Sequence, residues 1–225
     1  TGRLLPTGNV VDVLDVPGVG RISASMVDAA NACVFVRAEE IGLTGIEMPD
    51  AVDADGAARG RPAAARLAAA VAMGIAADRS QAAAKTTVPF VGFVSGPRDA
   101  PMLSGETISA ADVDLTARML SNGQTHRALP LTASLCMAVA ARIEGSLVQR
   151  AARPADSAGA ALRIGMPSGV LVVAASVHSN TGQWVAEQGA FYRTARRLFD
   201  GSVYVRASRL SVRLAEFTEA GALSG

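Results

Sequence analysis

Pro130-Leu131-Thr132-Ala133-Ser134-Leu135-Cys136-Met137-Ala138-Val139-Ala140-Ala141-Arg142-Ile143-Glu144-Gly145 is the stretch that decides how this chain folds. Residues 132–141 carry no charge and are rich in good helix formers. A helix that is apolar on every side belongs in a core, so this one predicts a buried central helix. Arg142-Ile143-Glu144-Gly145 brings back charge and ends on glycine, a natural stop. At the other end, residues 124–131 deliver the chain to a helix start whose first N–H groups have no acceptor within the helix. Those donors and the positive end of the helix dipole suit a carboxylate. The plainer reading is an ordinary threonine cap on a core helix.

Outward from that helix the pattern is mostly extended. Upstream, residues 10–16 are β-rich and end at Pro17-Gly18, and Ile22, Ala24 and Met26 alternate with polar neighbours. Cys33-Val34-Phe35-Val36 reads as a third strand, residues 50–62 as a polar loop, and a helix is expected from Pro62 to Met73-Gly74. Residues 87–94 predict a buried strand. Ser109 and Asp112 resemble a capped helix start, with that helix ending at Asn122-Gly123. Downstream, residues 146–151, 161–164, 170–177 and 183–191 read as strands, the last two joined by a hairpin at Ser179-Asn180-Thr181-Gly182. The sum is an α+β domain, an antiparallel sheet curling around the central helix.

Composition narrows the function classes. Half of the 225 residues are hydrophobic and 18% are charged, which reads as globular. Twenty-one basic against twenty acidic residues, with no basic stripe, argue against nucleic acid. No apolar run reaches the roughly 20 residues needed to cross a bilayer. No secretory signal opens the chain, so the cytoplasm is expected. Cys33 and Cys136 do not make a disulfide framework. Cys136 falls inside the apolar helix, where burial keeps a thiol inert. His126 and His178 lack paired-ligand spacing, so no metal site is expected.

Two places could hold an anion. One is the helix start, with Thr132, Ala133 and Ser134. The other is the turn Gly165-Met166-Pro167-Ser168-Gly169, where Pro167, Ser168 and Gly169 offer a hydroxyl and backbone donors between two β-segments. A plain β-turn is the alternative there.

Several stretches together resemble a known family. Thr1-Gly2-Arg3-Leu4-Leu5-Pro6-Thr7-Gly8-Asn9, Asp15-Val16-Pro17-Gly18-Val19-Gly20, Asp28-Ala29-Ala30-Asn31, Glu39-Glu40-Ile41-Gly42-Leu43-Thr44-Gly45-Ile46-Glu47, Gly96-Pro97-Arg98-Asp99 and Pro167-Ser168-Gly169 are similar, in order, to the 2-methylaconitate cis-trans isomerases. Relatives of that family act like methylitaconate isomerase or 4-oxalomesaconate tautomerase. The resemblance implies a diaminopimelate epimerase-like fold, with two β-rolls each wrapped around a central helix and the site between them. It further implies cofactor-free proton transfer on unsaturated di- and tricarboxylic acids, of the kind found in the 2-methylcitrate route of propionate metabolism.

By the same resemblance this chain is the carboxy-terminal half, with residues 1–205 as the domain and 206–225 as an atypical tail. The opening on Thr1 rather than methionine agrees with that expectation. Catalytic residues, a cysteine and a lysine, are then expected in an amino-terminal partner domain and none in this chain. A small carboxylic acid is the expected ligand, held here by Asn31 and the residues of the two anion sites, and a homodimer is compatible. Pro130 stands where the epimerases carry a catalytic cysteine, which removes the two-cysteine racemase mechanism. Met166 replaces the usual histidine of Gly-His-Pro-Ser-Gly. A non-catalytic domain that binds small acids is the reading from another class.

Overall fold

The computed structural model describes residues 1–154, 160–192, 197–202, 204 and 206. In chain order the elements are β1 (Asp12–Val16), β2 (Gly20–Ala29), β3 (Asn31–Arg37), α1 (Pro49–Ala54), α2 (Gly56–Ala72) and α3 (Arg79–Ala84), followed by β4 (Phe90–Ser95), β5 (Ala100–Pro101), β6 (Thr107–Ile108), β7 (Leu115–Ser121) and β8 (Gln124–Thr125). Next come α4 (Leu131–Ala140), α5 (Leu147–Ala151), β9 (Leu162–Met166), β10 (Gly169–Asn180) and β11 (Gln183–Phe191). The class is α+β, as the sequence reading had it.

Among the described residues the main sheet runs β1-β2-β3-β4-β7-β9-β10-β11, with β8 beside β7. It is mixed rather than antiparallel: β3 pairs β4, and β7 pairs β9, in parallel. Side chains alternate between its two faces, as the pleat requires. Val27, Cys33, Phe35, Val94, Ala117 and Met119 pack with α4. Met26, Val34, Val36, Val91 and Phe93 pack on the other face with Ala58, Ala65 and Ala69 of α2. The central strands are therefore buried on both sides, which is why they read as apolar runs.

The expected buried helix is α4. Cys136, Met137 and Ala140 have no exposed surface, and truncating Met137 to alanine would cost about 2–5 kcal/mol. α4 touches β2 and β3 near one end of the sheet and β10 and β11 at the other, so the sheet curls around it.

Three expectations need correcting. Residues 50–62 are helical, because the Asp55 carboxylate accepts the N–H groups of Ala57 and Ala58 at 2.8 and 3.2 Å and starts α2 well before Pro62. Ser109 caps only a single 3-10 turn, Ala110–Asp112, and the chain then runs as β7, buried along its whole length between β4 and β9. Residues 147–151 form a helix because the Ser146 hydroxyl accepts the Gln149 N–H at 3.0 Å.

Thr1–Arg193 make one compact unit and Thr194–Gly225 a second. In the second, Arg197 pairs with Asp200 at 3.0 Å on the surface. Of the expected tail at 206–225, residues 207–225 lie outside the described residues.

Candidate functional site

Strand directions bring the relevant segments to one end of the sheet. β3 and β4 start there, at Asn31 and Phe90, and β7 finishes there, at Ser121, whereas β9 runs the same way but stops at Met166, one residue past its Thr116–Gly165 pairing with β7. α4 also begins at that end, because Asn31 Nδ2 lies 3.4 Å from Thr132 Oγ1, to which it donates. The two partners are 101 residues apart in sequence.

α4 starts one residue earlier than Thr132, with Pro130 as its N-cap. Proline offers no side-chain acceptor, and α4 has no side-chain cap. The first helical bond is Ser134 N–H to Pro130 C=O, at 2.9 Å. The N–H groups of Leu131, Thr132 and Ala133 therefore have no acceptor within the helix. Thr132 is exposed and Ala133 is buried. Ser134 is also buried, and its hydroxyl donates to Leu131 C=O at 2.8 Å. Its two protons are thus spent on the helix, which makes it a support for the site rather than a free donor.

The second segment is the turn between β9 and β10, closed by the register Met166↔Gly169. Gly169 has φ of 126°, a conformation that side chains disfavour. Pro167 is buried and its carbonyl accepts the Leu103 N–H at 2.8 Å, while Ser168 is exposed. A β-carbon on Gly165 would lie 3.1 Å from Thr116 Cγ2, so glycine lets the strand approach β7. Met166 ties this turn to the helix entry, since the buried Leu129 N–H donates to its Sδ at 3.3 Å. The sulfur thus ties the end of β9 to the residues that lead into α4.

A groove of about 630 Å³ begins at the β2–β3 turn and follows the open side of α4. It is lined by Leu4, Asp28, Ala30, Leu135, Val139 and Trp184 among others. It lies where the curled sheet leaves a gap between β2 and β11, alongside the helix rather than over its first turn.

Neither cysteine is a nucleophile here. Cys33 and Cys136 are fully buried, and Cys136 Sγ lies 3.4 Å from the Val27 carbonyl, the cross-strand partner of Cys33. Burial, and then the neighbouring Cys136 thiol, push the Cys33 thiol well above its ordinary range, so it stays protonated. Among the described residues no group of His, Cys, Asp and Glu is placed to hold a metal ion. No helix among them is long and apolar enough to cross a membrane.

The sequence reading passed over Ser121 and weighed His126 only as a metal ligand. Ser121 Oγ is 2.6 Å from His126 Nε2, and the His126 ring lies against Phe90 with centroids 6.0 Å apart. Burial holds the imidazole below its ordinary value. The only sequence signal was position, since His126 falls in the segment that leads into the helix.

Residues 1–206 match the family described as PrpF protein. The 2-methyl-aconitate isomerase of Shewanella oneidensis is 39% identical over 204 residues, covering 91% of this chain and 51% of that protein. The 3-methylitaconate isomerase of Eubacterium barkeri is 38% identical over 93% of this chain and 54% of its own length. The crystal structure of methylitaconate-delta-isomerase superposes with a TM-score of 0.79 at 37% identity, over 95% of this chain and 54% of that one. The chain thus spans about half the length of the curated relatives it matches. These matches do not support the expectation that it is specifically the carboxy-terminal half, nor that the catalytic residues lie in an absent amino-terminal one.

Proposed function

The chain belongs to the PrpF protein family, and from that premise we propose that it forms one wall of an isomerase site for small unsaturated di- and tricarboxylic acids. The observation that carries this reading is the uncapped start of α4, with Asn31 donating to Thr132 in its first turn and Met166 accepting from Leu129 just before it. Three N–H donors at a helix start, with the dipole behind them, favour a carboxylate. The same donors stabilise the charge that develops on that carboxylate when a neighbouring carbon loses a proton. Asn31, Thr132, Ala133, Ser168 and Gly169 are the proposed contacts, with Ser134 and Pro167 holding them in place.

The reaction is a proton shift along a conjugated acid, giving a dienolate that is reprotonated to flip or move the double bond. As written it consumes no cofactor. Cis-trans isomerisation of 2-methylaconitate is the first substrate assignment, and methylitaconate isomerisation or oxalomesaconate tautomerisation is the runner-up. The architecture would be that of the diaminopimelate epimerases, two rolls facing each other in a cytoplasmic enzyme. The part of the relatives that this chain does not match would then supply the facing wall.

The test is ultraviolet absorbance of the intact protein with each acid, beside calorimetric titration with trans-aconitate. Binding with turnover of one acid is the expected result. Binding without any turnover would leave a small-acid-binding domain, and no binding would remove the carboxylate reading.

A further inference from the structure

α4 is buried except for a strip, and that strip leads from the carboxylate donors into the groove beside the helix. Residues 136–140 are buried, whereas Thr132 is exposed and Leu135 half-buried. Thr132, Leu135 and Val139 are spaced i, i+3 and i+7, so they lie in one row along the helix. The first of the row belongs to the uncapped first turn, and the other two line the groove of about 630 Å³. Ala30, which precedes Asn31 in the β2–β3 turn, lines the same groove. Groove and anion site therefore adjoin, along α4 through one helix face and at the turn through consecutive residues.

From Thr132 to Val139 the row rises about 10 Å, the length of several methylene groups. Leu4 and Trp184 pack against the core beside it and give the groove apolar sides. The acidic residues that line it are engaged. The Asp28 carboxylate accepts the Thr1 hydroxyl at 2.6 Å, and Glu187 accepts the Ser176 hydroxyl at 3.3 Å and lies 3.6 Å from His178 Nδ1. The Arg3 guanidinium also lines the groove, has no partner among the described residues, and favours an acid. We propose that the groove binds an alkyl substituent, so that the preferred acid carries a chain longer than methyl beside the carboxylate held at the α4 start. The proposal rests on the carboxylate-isomerase reading above, and it makes Leu135, Val139 and Trp184 the residues that set specificity.

An apolar groove selects by the surface it removes from water. Each methylene that it covers strengthens binding about threefold, until the chain outruns Val139. A methyl substituent reaches only the head of the groove at Ala30 and gains little. The carboxylate at the helix start fixes where the chain enters, and the row of Leu135 and Val139 fixes the direction it takes.

Calorimetric titration of the intact protein with methyl-, ethyl-, propyl- and butylsuccinate, saturated acids with no double bond to move, tests this without turnover. Affinity should rise about threefold with each added methylene. Trp184 is the chain's single tryptophan, so its emission maximum should move to shorter wavelength with butylsuccinate and stay in place with trans-aconitate. Leu135→Gln and Trp184→Ala should each flatten the series, yet bind trans-aconitate as wild type does, which also shows that they fold. A flat series in wild type, a slope that both variants keep, or Trp184 emission unmoved by butylsuccinate overturns the proposal. A groove already covered by polypeptide would give the first and the last of these. If wild-type protein does not bind trans-aconitate, the carboxylate reading fails first and takes this one with it.

Discussion

α2 and α4 lie on opposite faces of one sheet and begin in opposite ways. α2 starts on Asp55, whose carboxylate takes two of its first N–H groups. α4 starts on Pro130, which takes none. α2 is built largely from alanine and keeps one side toward solvent, whereas α4 is buried along nearly all its length. By stability alone the buried helix should need its cap more, since orphaned N–H groups cost most where water is scarce. The one left bare starts at the end of the sheet where Asn31 and the Met166 turn meet it. Its open donors mark a place where a ligand can complete the helix.

The sharpest way to break this contrast is to give α4 the cap that α2 has. Pro130→Asp puts a carboxylate where the ligand's is proposed to sit. We expect trans-aconitate affinity to fall about 100-fold, on the scale of one or two charge-assisted bonds, while thermal stability holds or rises. Calorimetry together with a melting curve checks both halves, and unchanged affinity would mean that the α4 start is not the anion site.

Ser168→Ala tests the second direction of approach. Removing one hydroxyl donor to a charged group should weaken binding about tenfold and leave the melting temperature unaltered. Unchanged affinity and turnover would reduce the turn to a turn.

A smaller effect is expected at Met166→Leu, which nearly keeps volume but strands the buried Leu129 N–H. A stability loss of about 1 kcal/mol and a few-fold loss of affinity should appear together. Stability loss alone would show that the sulfur holds the core without setting the site.

The smallest effect belongs to α2. Hydrogen bonds from the Ala58 and Ala57 N–H groups hold the Asp55 carboxylate below its ordinary pKa of 3.8. A depressed folded pKa gives stability that is complete above the unfolded value and lost as pH falls through the folded one. Asp55→Ala should therefore lower the melting temperature slightly near pH 7, with the difference from wild type vanishing in strong acid. Ligand affinity should not move, and a change in it would undo the separation of the two helices.

How much of this was legible varied with the range of the interaction. α4 could be read because its own ten residues are uncharged and nearly all apolar, and the hairpin residues at 179–182 state their own turn. The start of α2 was missed because Asp55 and Gly56 look like loop and Pro62 looks like a first-turn proline. Nothing local says that a carboxylate seven residues earlier has already begun the helix. β7 was misread because Ser109 caps only a short turn. What makes residues 115–121 a strand is pairing with β4 and β9, and the Arg118 guanidinium inside it is satisfied in part by the Glu47 carbonyl, 71 residues away. In the site, Thr132 and Ser168 stood out as donors, yet the contacts Asn31–Thr132 and Leu129–Met166 exist only after the sheet has formed.

The curl of the sheet around α4 also bears on how the molecule assembles. The helix is enclosed by β2 and β3 from early in the chain and by β10 and β11 from late in it. Its buried surface cannot be covered until both distant pairs have arrived, and closing such long loops is slow. We expect α4 to be among the last elements to gain protection from amide exchange during refolding, despite its strong local preference for helix. The start of α4, where the proposed ligand binds, would then exist only in the fully assembled molecule.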